Sequence, residues 1–303
     1  MKRRRWIVLG LLLLTAGVGF AFLDPDARLR GWIGGEPFFQ GRSATAWSHD
    51  LGQADEVKST ATRAALSEGK GEALPVCTWL LERSPNPVVR ARAADALKQM
   101  GAEGEPTGPA LLKALDDPDP VVRGVALQAV EALAPRLPAD ALPRLIARFP
   151  EVESIRIVAK FGPAAAEATP RLVELIKHGE PTVRFQAVRA LGKIGPTSIP
   201  LVPEFLRLLA NDPNDKVREI SAEVIGQLGP ASAQKYPDVV PALAKALNDP
   251  AWNVRRDAVR SLGQLGSLAK PVLASVKARE KDDDERVRTA ATRAVRQIEG
   301  EGN

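Results

Sequence analysis

A branched apolar residue followed by a basic one recurs through most of this chain at intervals of about 33 residues. Internal periods of this length are typical of solenoids, in which each unit buries its apolar face by stacking on its neighbours. We align eight copies of the motif: Val57-Lys58, Val89-Arg90, Val122-Arg123, Ile155-Arg156, Val183-Arg184, Val217-Arg218, Val254-Arg255 and Val287-Arg288.

The alignment brings small and apolar residues into columns. The third residue after each basic one is small: Ala61, Ala93, Ala126, Ala159, Ala187, Ser221, Ala258 and Ala291. The seventh residue is apolar in six copies, and so is the tenth: Leu97, Val130, Leu191, Ile225, Leu262 and Val295, then Met100, Leu133, Ile194, Leu228, Leu265 and Ile298. Offsets of three, seven and ten lie on one face of an α-helix, so each copy predicts an amphipathic helix.

Each of these helices has a partner before it. Glycine follows the tenth position at Gly101, Gly195, Gly229 and Gly266, where it is typical of a helix C-terminus. Before the basic anchor come turns rich in Asp, Asn and Pro, and before those come apolar stretches that begin with proline at Pro109, Pro203 and Pro241. The unit is therefore a helix, a turn and a second helix.

This pattern resembles HEAT repeats, particularly the short bacterial, phycobilisome-lyase-type form, and the segment from Asp249 to Gly266 carries the likeness best. The resemblance implies an all-α, right-handed α-solenoid of about eight repeats over residues 43–298. It also implies that turn carboxylates and anchor arginines form hydrogen-bonded ladders between repeats. We therefore interpret six arginines as structural: Arg90, Arg123, Arg184, Arg218, Arg255 and Arg288.

Two repeats depart from the pattern. In the fourth repeat, Phe161-Gly162-Pro163 ends the second helix about one turn early, which predicts a kink or a change of pitch. In the first repeat, residues 47–51 are expected to form the first helix, with Ser43 or Thr45 as its cap.

The N-terminal region has a different character. Residues 1–5 are basic, and residues 6–23 form an uncharged apolar run that would span about 27 Å as a helix. This predicts a transmembrane signal anchor with a cytoplasmic N-terminus and a periplasmic or extracellular solenoid, or a secreted protein if the run is cleaved. Residues 24–42 are expected to be a tether whose Trp32, Phe38 and Phe39 rest on the membrane or cap the first repeat, and residues 299–303 a tail.

Charge argues against a nucleic-acid partner. The net charge is +5, but four basic residues lie within residues 2–5, so the remainder carries only +1. A nucleic-acid-binding surface is expected to be strongly basic.

Residues suited to catalysis or metal binding are sparse. The two histidines, His49 and His178, are interpreted as structural or solvated, and the single cysteine, Cys77, as a buried thiol. The acidic run 282–285 lacks the ligand spacing of a calcium loop and is expected to cap a helix. No cofactor, metal or enzymatic activity is predicted. An enzyme or cofactor-binding protein of the bilin-lyase kind stays open as an alternative.

The candidate binding surface follows from helix geometry. Residues one and five after each anchor point away from the apolar face and are expected to line the concave surface of the solenoid. The selected residues are Phe185, Arg189, Glu223, Arg256, Arg260 and Arg293. They predict a groove for a protein or peptide with acidic and apolar groups, although a solvated ladder of ion pairs is an open alternative. Trp252 is either a further contact or packs against the adjacent repeat.

The function predicted from the sequence is thus a membrane-anchored, monomeric scaffold that binds a protein partner. Nucleic-acid binding is the least favoured hypothesis.

Overall fold

The computed structural model describes residue 24 and residues 26–134, 136–137 and 140–300. The predicted anchor, residues 6–23, lies outside this part of the chain. None of the described helices combines the length and the apolar character needed to cross a bilayer. The chain divides into two compact units, Met1–Ala141 and Leu142–Asn303.

The first unit begins with a short helix and a hairpin and continues with paired helices. Its elements are α1 (Arg28–Ile33), antiparallel strands β1 (Phe38–Phe39) and β2 (Arg42–Ser43), α2 (Ala44–Leu51), α3 (Glu56–Glu68), α4 (Lys70–Arg83), α5 (Pro87–Met100), a 3-10 segment (Gly101–Thr107), α6 (Gly108–Ala114) and α7 (Pro120–Leu133).

The second unit contains helices with 3-10 connections. Its elements are α8 (Ala141–Ala147), α9 (Val152–Lys160), a 3-10 segment (Gly162–Ala168), α10 (Thr169–His178), α11 (Pro181–Ile194), a 3-10 segment (Gly195–Leu201), α12 (Val202–Asn211), α13 (Asp215–Gln227), α14 (Pro230–Lys235), α15 (Val239–Ala246), α16 (Trp252–Gln264), 3-10 segments (Gly266–Val272 and Arg279–Lys281), α17 (Leu273–Ala278) and α18 (Glu285–Glu299).

These helices form eight helix-turn-helix pairs within the described residues, as the repeat count predicted. The second helix of each pair packs on the second helix of the next, in the order α3, α5, α7 in the first unit and α9, α11, α13, α16, α18 in the second. This sequential stacking is that of an α-solenoid within each unit.

The apolar columns form the core. All residues named above at the seventh and tenth positions are buried, and so are the small residues at the third position of six repeats: Ala93, Ala126, Ala187, Ser221, Ala258 and Ala291. Burial of these columns places the opposite side of each second helix in solvent, which is where the candidate surface was expected.

The register of the first repeat differs from the prediction. Ala61, Val57 and Lys58 are exposed, whereas Ser59 and Leu66 are buried. The buried pair lies three and ten residues after Glu56, so the true register is two residues earlier than the Val-Lys motif indicated. This terminal helix has no preceding repeat to cover it, and its apolar Val57 can therefore face water.

Two glycines in the Leu-Gly-x-Leu-Gly ending have separate roles. The second glycine has positive φ, as at Gly195 and Gly266, and starts the 3-10 connection. The first glycine lies against the next repeat: a Cβ at Gly226 would come within 2.7 Å of Ser261 Cβ.

In the fourth repeat, Gly162 also has positive φ and α9 ends at Lys160, which confirms the early helix end.

The expected tether over residues 24–42 is largely folded. Helix α1 and the hairpin pack on the first repeat, where Phe39 is buried against Gly69 and Trp47. Of the two alternatives for the aromatic residues, Phe39 caps the first repeat, whereas Trp32 is 76% exposed. The predicted cap of α2 is Ser43, whose Oγ accepts the Ala46 amide hydrogen.

Candidate functional site

A ladder of arginine–aspartate pairs joins successive repeats. Each of four anchor arginines donates two hydrogen bonds of 2.7–2.9 Å to the turn aspartate of the following repeat: Arg90–Asp117, Arg184–Asp212, Arg218–Asp249 and Arg255–Asp282. The same guanidinium groups donate to backbone carbonyls of their own turns, as Arg218 does to Asp212 at 2.9 Å. Arg123 and Arg288 also donate to carbonyls of their turns. The arginines are therefore structural, as the resemblance implied.

The aspartates stabilise the turns from the other side. Asp282 accepts hydrogen bonds from Arg255 and from the backbone amide of Asp284, and the bond from Arg255 is the main reason that the pKa of Asp282 is lowered. Asp284 caps α18 and pairs with Arg286, whose hydrogen bond lowers the Asp284 pKa to about 2. Asp284 thus caps a helix, as expected for the acidic run, whereas Asp282 is buried in the ladder and is not solvated.

The outward side of α11, α13, α16 and α18 forms the second-helix surface. We define it by the predicted residues Phe185, Arg189, Glu223, Arg256, Arg260 and Arg293. Arg189, Arg260 and Arg293 are exposed, and Phe185, Glu223 and Arg256 are half-buried. All six lie in the second unit, on consecutive second helices, but they belong to two different environments.

Arg256 belongs to an ion-pair cluster. It donates to Glu219 at 2.8 Å and to Asp257 at 2.9 Å, while Asn253 links Glu219 to Asp215. This part of the surface matches the alternative of a ladder of ion pairs, because the charge of Arg256 is already neutralised. Glu223 similarly accepts a hydrogen bond from Gln227 at 2.7 Å.

Trp252 packs against the adjacent repeat. Two guanidinium groups lie close to its ring, with Arg256 Cζ 5.2 Å and Arg286 Cζ 3.3 Å from the ring centroid. Arg286 comes from the following repeat, so the stacked arrangement joins repeats seven and eight. Of the two interpretations of Trp252, interrepeat packing is confirmed.

Arg260 and Arg293 lie in a different environment, a cleft of about 100 Å³ between α16 and α18. Its lining consists of Arg260, Gln264, Ala290, Arg293 and Gln297. Among the described residues, the side chain of Arg260 has one partner, Asp257, at 3.4 Å. Within the described part of the chain, Arg293 and the amide groups of Gln264 and Gln297 have no side-chain hydrogen-bond partner. The cleft therefore presents several unused donors to solvent.

The two glutamines were missed in the sequence, although a signal existed. Both lie nine residues after an anchor arginine of the repeat motif, as does Gln227, and so they share the exposed face with the residues at offset five. Each amide oxygen also lies over the close-packed glycine of the preceding repeat: a Cβ at Gly263 would be 2.4 Å from Gln297 Oε1. Glycine on one helix thus leaves room for glutamine from the next.

The two histidines and the cysteine are not among the residues of this surface. His49 and His178 are exposed, and Cys77 is fully buried, which raises the pKa of its thiol to about 12. Among the described residues, no group of three or more His, Cys, Asp or Glu side chains is placed to hold a metal ion.

Comparison with known families agrees with the geometry. The sequence profile of HEAT repeats matches residues 51–131, 150–226 and 202–296, which together are most of the chain. The chain belongs to the HEAT-repeat family. The ladder, the close-packed glycines and the paired helices are thus features of a stack of HEAT repeats, and the resemblance seen in the sequence is confirmed.

Some solved structures are similar to this chain at low sequence identity. An engineered protein is 20% identical, with a TM-score of 0.54 over 84% of this chain and 78% of its own length. The complex of CpcE and CpcF of phycocyanin lyase from Nostoc sp. is 22% identical, with a TM-score of 0.43 over 52% of this chain and 99% of that one. No curated protein matches the chain. The likeness to the engineered protein concerns the fold alone.

Proposed function

We propose that this HEAT-repeat protein is a non-enzymatic scaffold that binds a protein partner on its second-helix surface while residues 6–23 anchor it in a membrane. The observation that carries the binding proposal is the cleft between α16 and α18. Among the described residues, Arg293 and the two glutamines there have no side-chain hydrogen-bond partner, and Arg260 has one long contact, with Asp257. In a site that only stabilised the fold, the guanidinium group of Arg293 would be paired, as those of the ladder arginines are.

The partner group that fits this cleft is a carboxylate. A guanidinium group binds a carboxylate through charge-assisted hydrogen bonds, and a side-chain amide can add a further donor. The volume of about 100 Å³ suits one aspartate or glutamate side chain better than a pigment or a nucleotide. The scaffold therefore binds an acidic segment of its partner.

Phe185 and Arg189 extend the surface in repeat five. Phe185 is half-buried and offers an apolar contact, and Arg189 is exposed without an ion-pair partner among the described residues. Aromatic and arginine side chains contribute most to protein interfaces. Because Glu223 and Arg256 are already paired, they contribute to specificity more than to affinity.

The membrane part of the proposal is supported by the sequence of the first 23 residues. An uncharged apolar run follows a basic cluster, which favours a cytoplasmic N-terminus and places the repeats on the periplasmic or extracellular side. A scaffold in this position would hold its partner close to the membrane.

The experiment is a crosslinking pull-down from intact source cells, followed by affinity measurement with the captured partner. Arg260→Glu and Arg293→Glu should weaken binding at least about tenfold, because each reverses a charge in the cleft. Phe185→Ala tests the apolar contact. Lys245→Glu, on the exposed side of the first helix α15, makes the same charge change away from the cleft and should bind normally.

Three results would reject the proposal. Undiminished capture by the Arg260, Arg293 and Phe185 variants would remove the second-helix surface as the binding site. A purified chain that carries bound pigment would favour the bilin-lyase alternative. A steeply salt-dependent affinity for nucleic acid would favour the nucleic-acid-binding alternative.

A further inference from the structure

Large apolar side chains are exposed together at the N-terminal end of the first unit. In the described part of the chain, seven are exposed, and four of these lie within ten residues of sequence: Leu29, Trp32, Ile33 and Phe38. The other three, Val57, Val88 and Val121, lie singly near the starts of α3, α5 and α7. We name the four residues on α1 and β1 the apolar patch.

The apolar patch is held in place by the fold. Gly31 lies so close to β2 that a Cβ there would be 2.5 Å from Ser43 Cβ. Glu36 accepts hydrogen bonds from the amide and hydroxyl of Thr45, at 2.8 and 2.6 Å, which ties the hairpin to the start of α2. Phe39, the neighbour of Phe38 on β1, is buried on the opposite side. The patch is therefore a fixed surface and not the side of a loose linker.

The shape and charge of the apolar patch suit the surface of a bilayer. Trp32, Leu29 and Phe38 line an open apolar cleft of about 520 Å³ with Arg28 and Gly41. Arg28 and Arg30 on the same helix are exposed. Tryptophan with flanking arginines is the combination that proteins place at the level of lipid headgroups, where aromatic rings insert and the cations meet lipid phosphates.

The position of the apolar patch in the chain also favours contact with a bilayer surface. Leu29 is six residues beyond the end of the apolar run, and an extended segment of that length reaches at most about 21 Å. If residues 6–23 cross the membrane, the patch cannot leave the vicinity of the interface.

We propose that the apolar patch lies in the headgroup region of the membrane and fixes the first repeat against the bilayer. This rests on the membrane anchoring proposed above and adds a second contact to it. The repeats would then emerge from the membrane in a defined orientation, because α1 and the hairpin are packed on the first repeat.

The test uses the full chain with one nitroxide label, at Ile33→Cys or at the matched control Val57→Cys. These positions are 73% and 80% exposed, and the native Cys77 is buried and will not react. Each labelled chain is reconstituted in phosphatidylcholine and phosphatidylglycerol vesicles and floated on a density gradient. Power saturation then gives the accessibility of the label to oxygen, which concentrates in lipid, and to a nickel chelate, which stays in water.

The expected result is a several-fold higher oxygen-to-nickel ratio at position 33 than at position 57. Equal, water-like ratios in chains that float would overturn the proposal that the apolar patch contacts the membrane, and would leave the proposed anchor intact. Chains that fail to float would overturn both proposals.

Two further outcomes concern other occupants of the apolar patch. Spin–spin broadening at position 33 would identify a second copy of the chain as the occupant. A label at position 33 that neither oxygen nor the nickel chelate reaches would mean that another part of the chain covers the patch, and either result would overturn the inference.

Discussion

At the scale of single residues, each ladder arginine serves two repeats at once. Arg218, for example, binds carbonyl groups of its own turn and the carboxylate of Asp249 in the next repeat. The identity of the residue matters because the guanidinium group supplies donors in several directions in one plane, which lysine cannot do. The family resemblance was sufficient to predict this role, but the periodicity alone showed only that a basic residue recurs.

Removal of one ladder aspartate should destabilise the second unit. Asp282→Ala leaves Arg255 without its carboxylate in a largely buried position and should lower the free energy of unfolding by about 2–4 kcal/mol. Asp283→Ala changes the exposed neighbour, whose carboxylate has no ladder partner, and should cost less than about 0.5 kcal/mol. Urea denaturation followed by circular dichroism measures both, and equal effects would contradict the structural role of the ladder.

The same aspartate should make stability dependent on acid. Arg255 lowers the pKa of Asp282 below its ordinary value of 3.8, so the ionised carboxylate stabilises the folded state. That contribution is fully present above pH 3.8 and is lost as the pH falls through the lowered pKa. In urea titrations at several pH values, the stability difference between the wild type and Asp282→Asn should shrink at acidic pH. A difference that stays constant would contradict the assignment.

At the scale of helices, the repeat ending shows what a sequence pattern can and cannot predict. Glycine at a helix end is a recognisable signal, and it predicted where the second helices stop, including the early end at Gly162. The other glycine of the motif acts through contact with a neighbouring repeat, as Gly226 does with Ser261. Such a contact is long-range and cannot be inferred from local periodicity.

Two glycine-to-alanine substitutions in second helices are expected to change the free energy of unfolding in opposite directions. Gly226→Ala should cost about 1–3 kcal/mol, because its Cβ would overlap with Ser261. Gly124→Ala, within α7, meets nothing within 4 Å and should stabilise the chain by about 0.5–1 kcal/mol through better helix propensity. Chemical denaturation of the two variants is the measurement. Stabilisation by Gly226→Ala would show that the helices are not closely packed there.

The errors of prediction at this scale lie at the N-terminal end of the repeats. The motif at Val57-Lys58 gave a register two residues too late, because an end repeat does not have to bury the same face as an internal one. The Gly- and Pro-rich segment that suggested a tether contains α1 and the hairpin, held by Phe39 packing and by Glu36. Tertiary contacts overrode a composition typical of a linker.

At the scale of the whole molecule, the fold was predictable and the site only partly so. Eight helix pairs follow from a repeated pattern, and the six positions of the second-helix surface follow from helix geometry. Which of those positions are available for a partner depends on pairing between repeats: Arg256 is neutralised by Glu219 and Asp257, and Arg293 is not paired within the described residues. The cleft at Gln264 and Gln297 likewise becomes visible only when two helices are placed side by side.

The central claim is that a protein partner binds at the cleft between α16 and α18. The most direct measurement is photo-crosslinking in intact cells with benzoylphenylalanine in place of Gln264 on the cleft wall, and in place of Lys245 as a control on the first helix. We predict one crosslinked protein at position 264, none at position 245, and loss of the adduct when Arg293→Glu is added. Adducts of equal yield at both positions, or an adduct at 264 that Arg293→Glu leaves unchanged, would contradict this account.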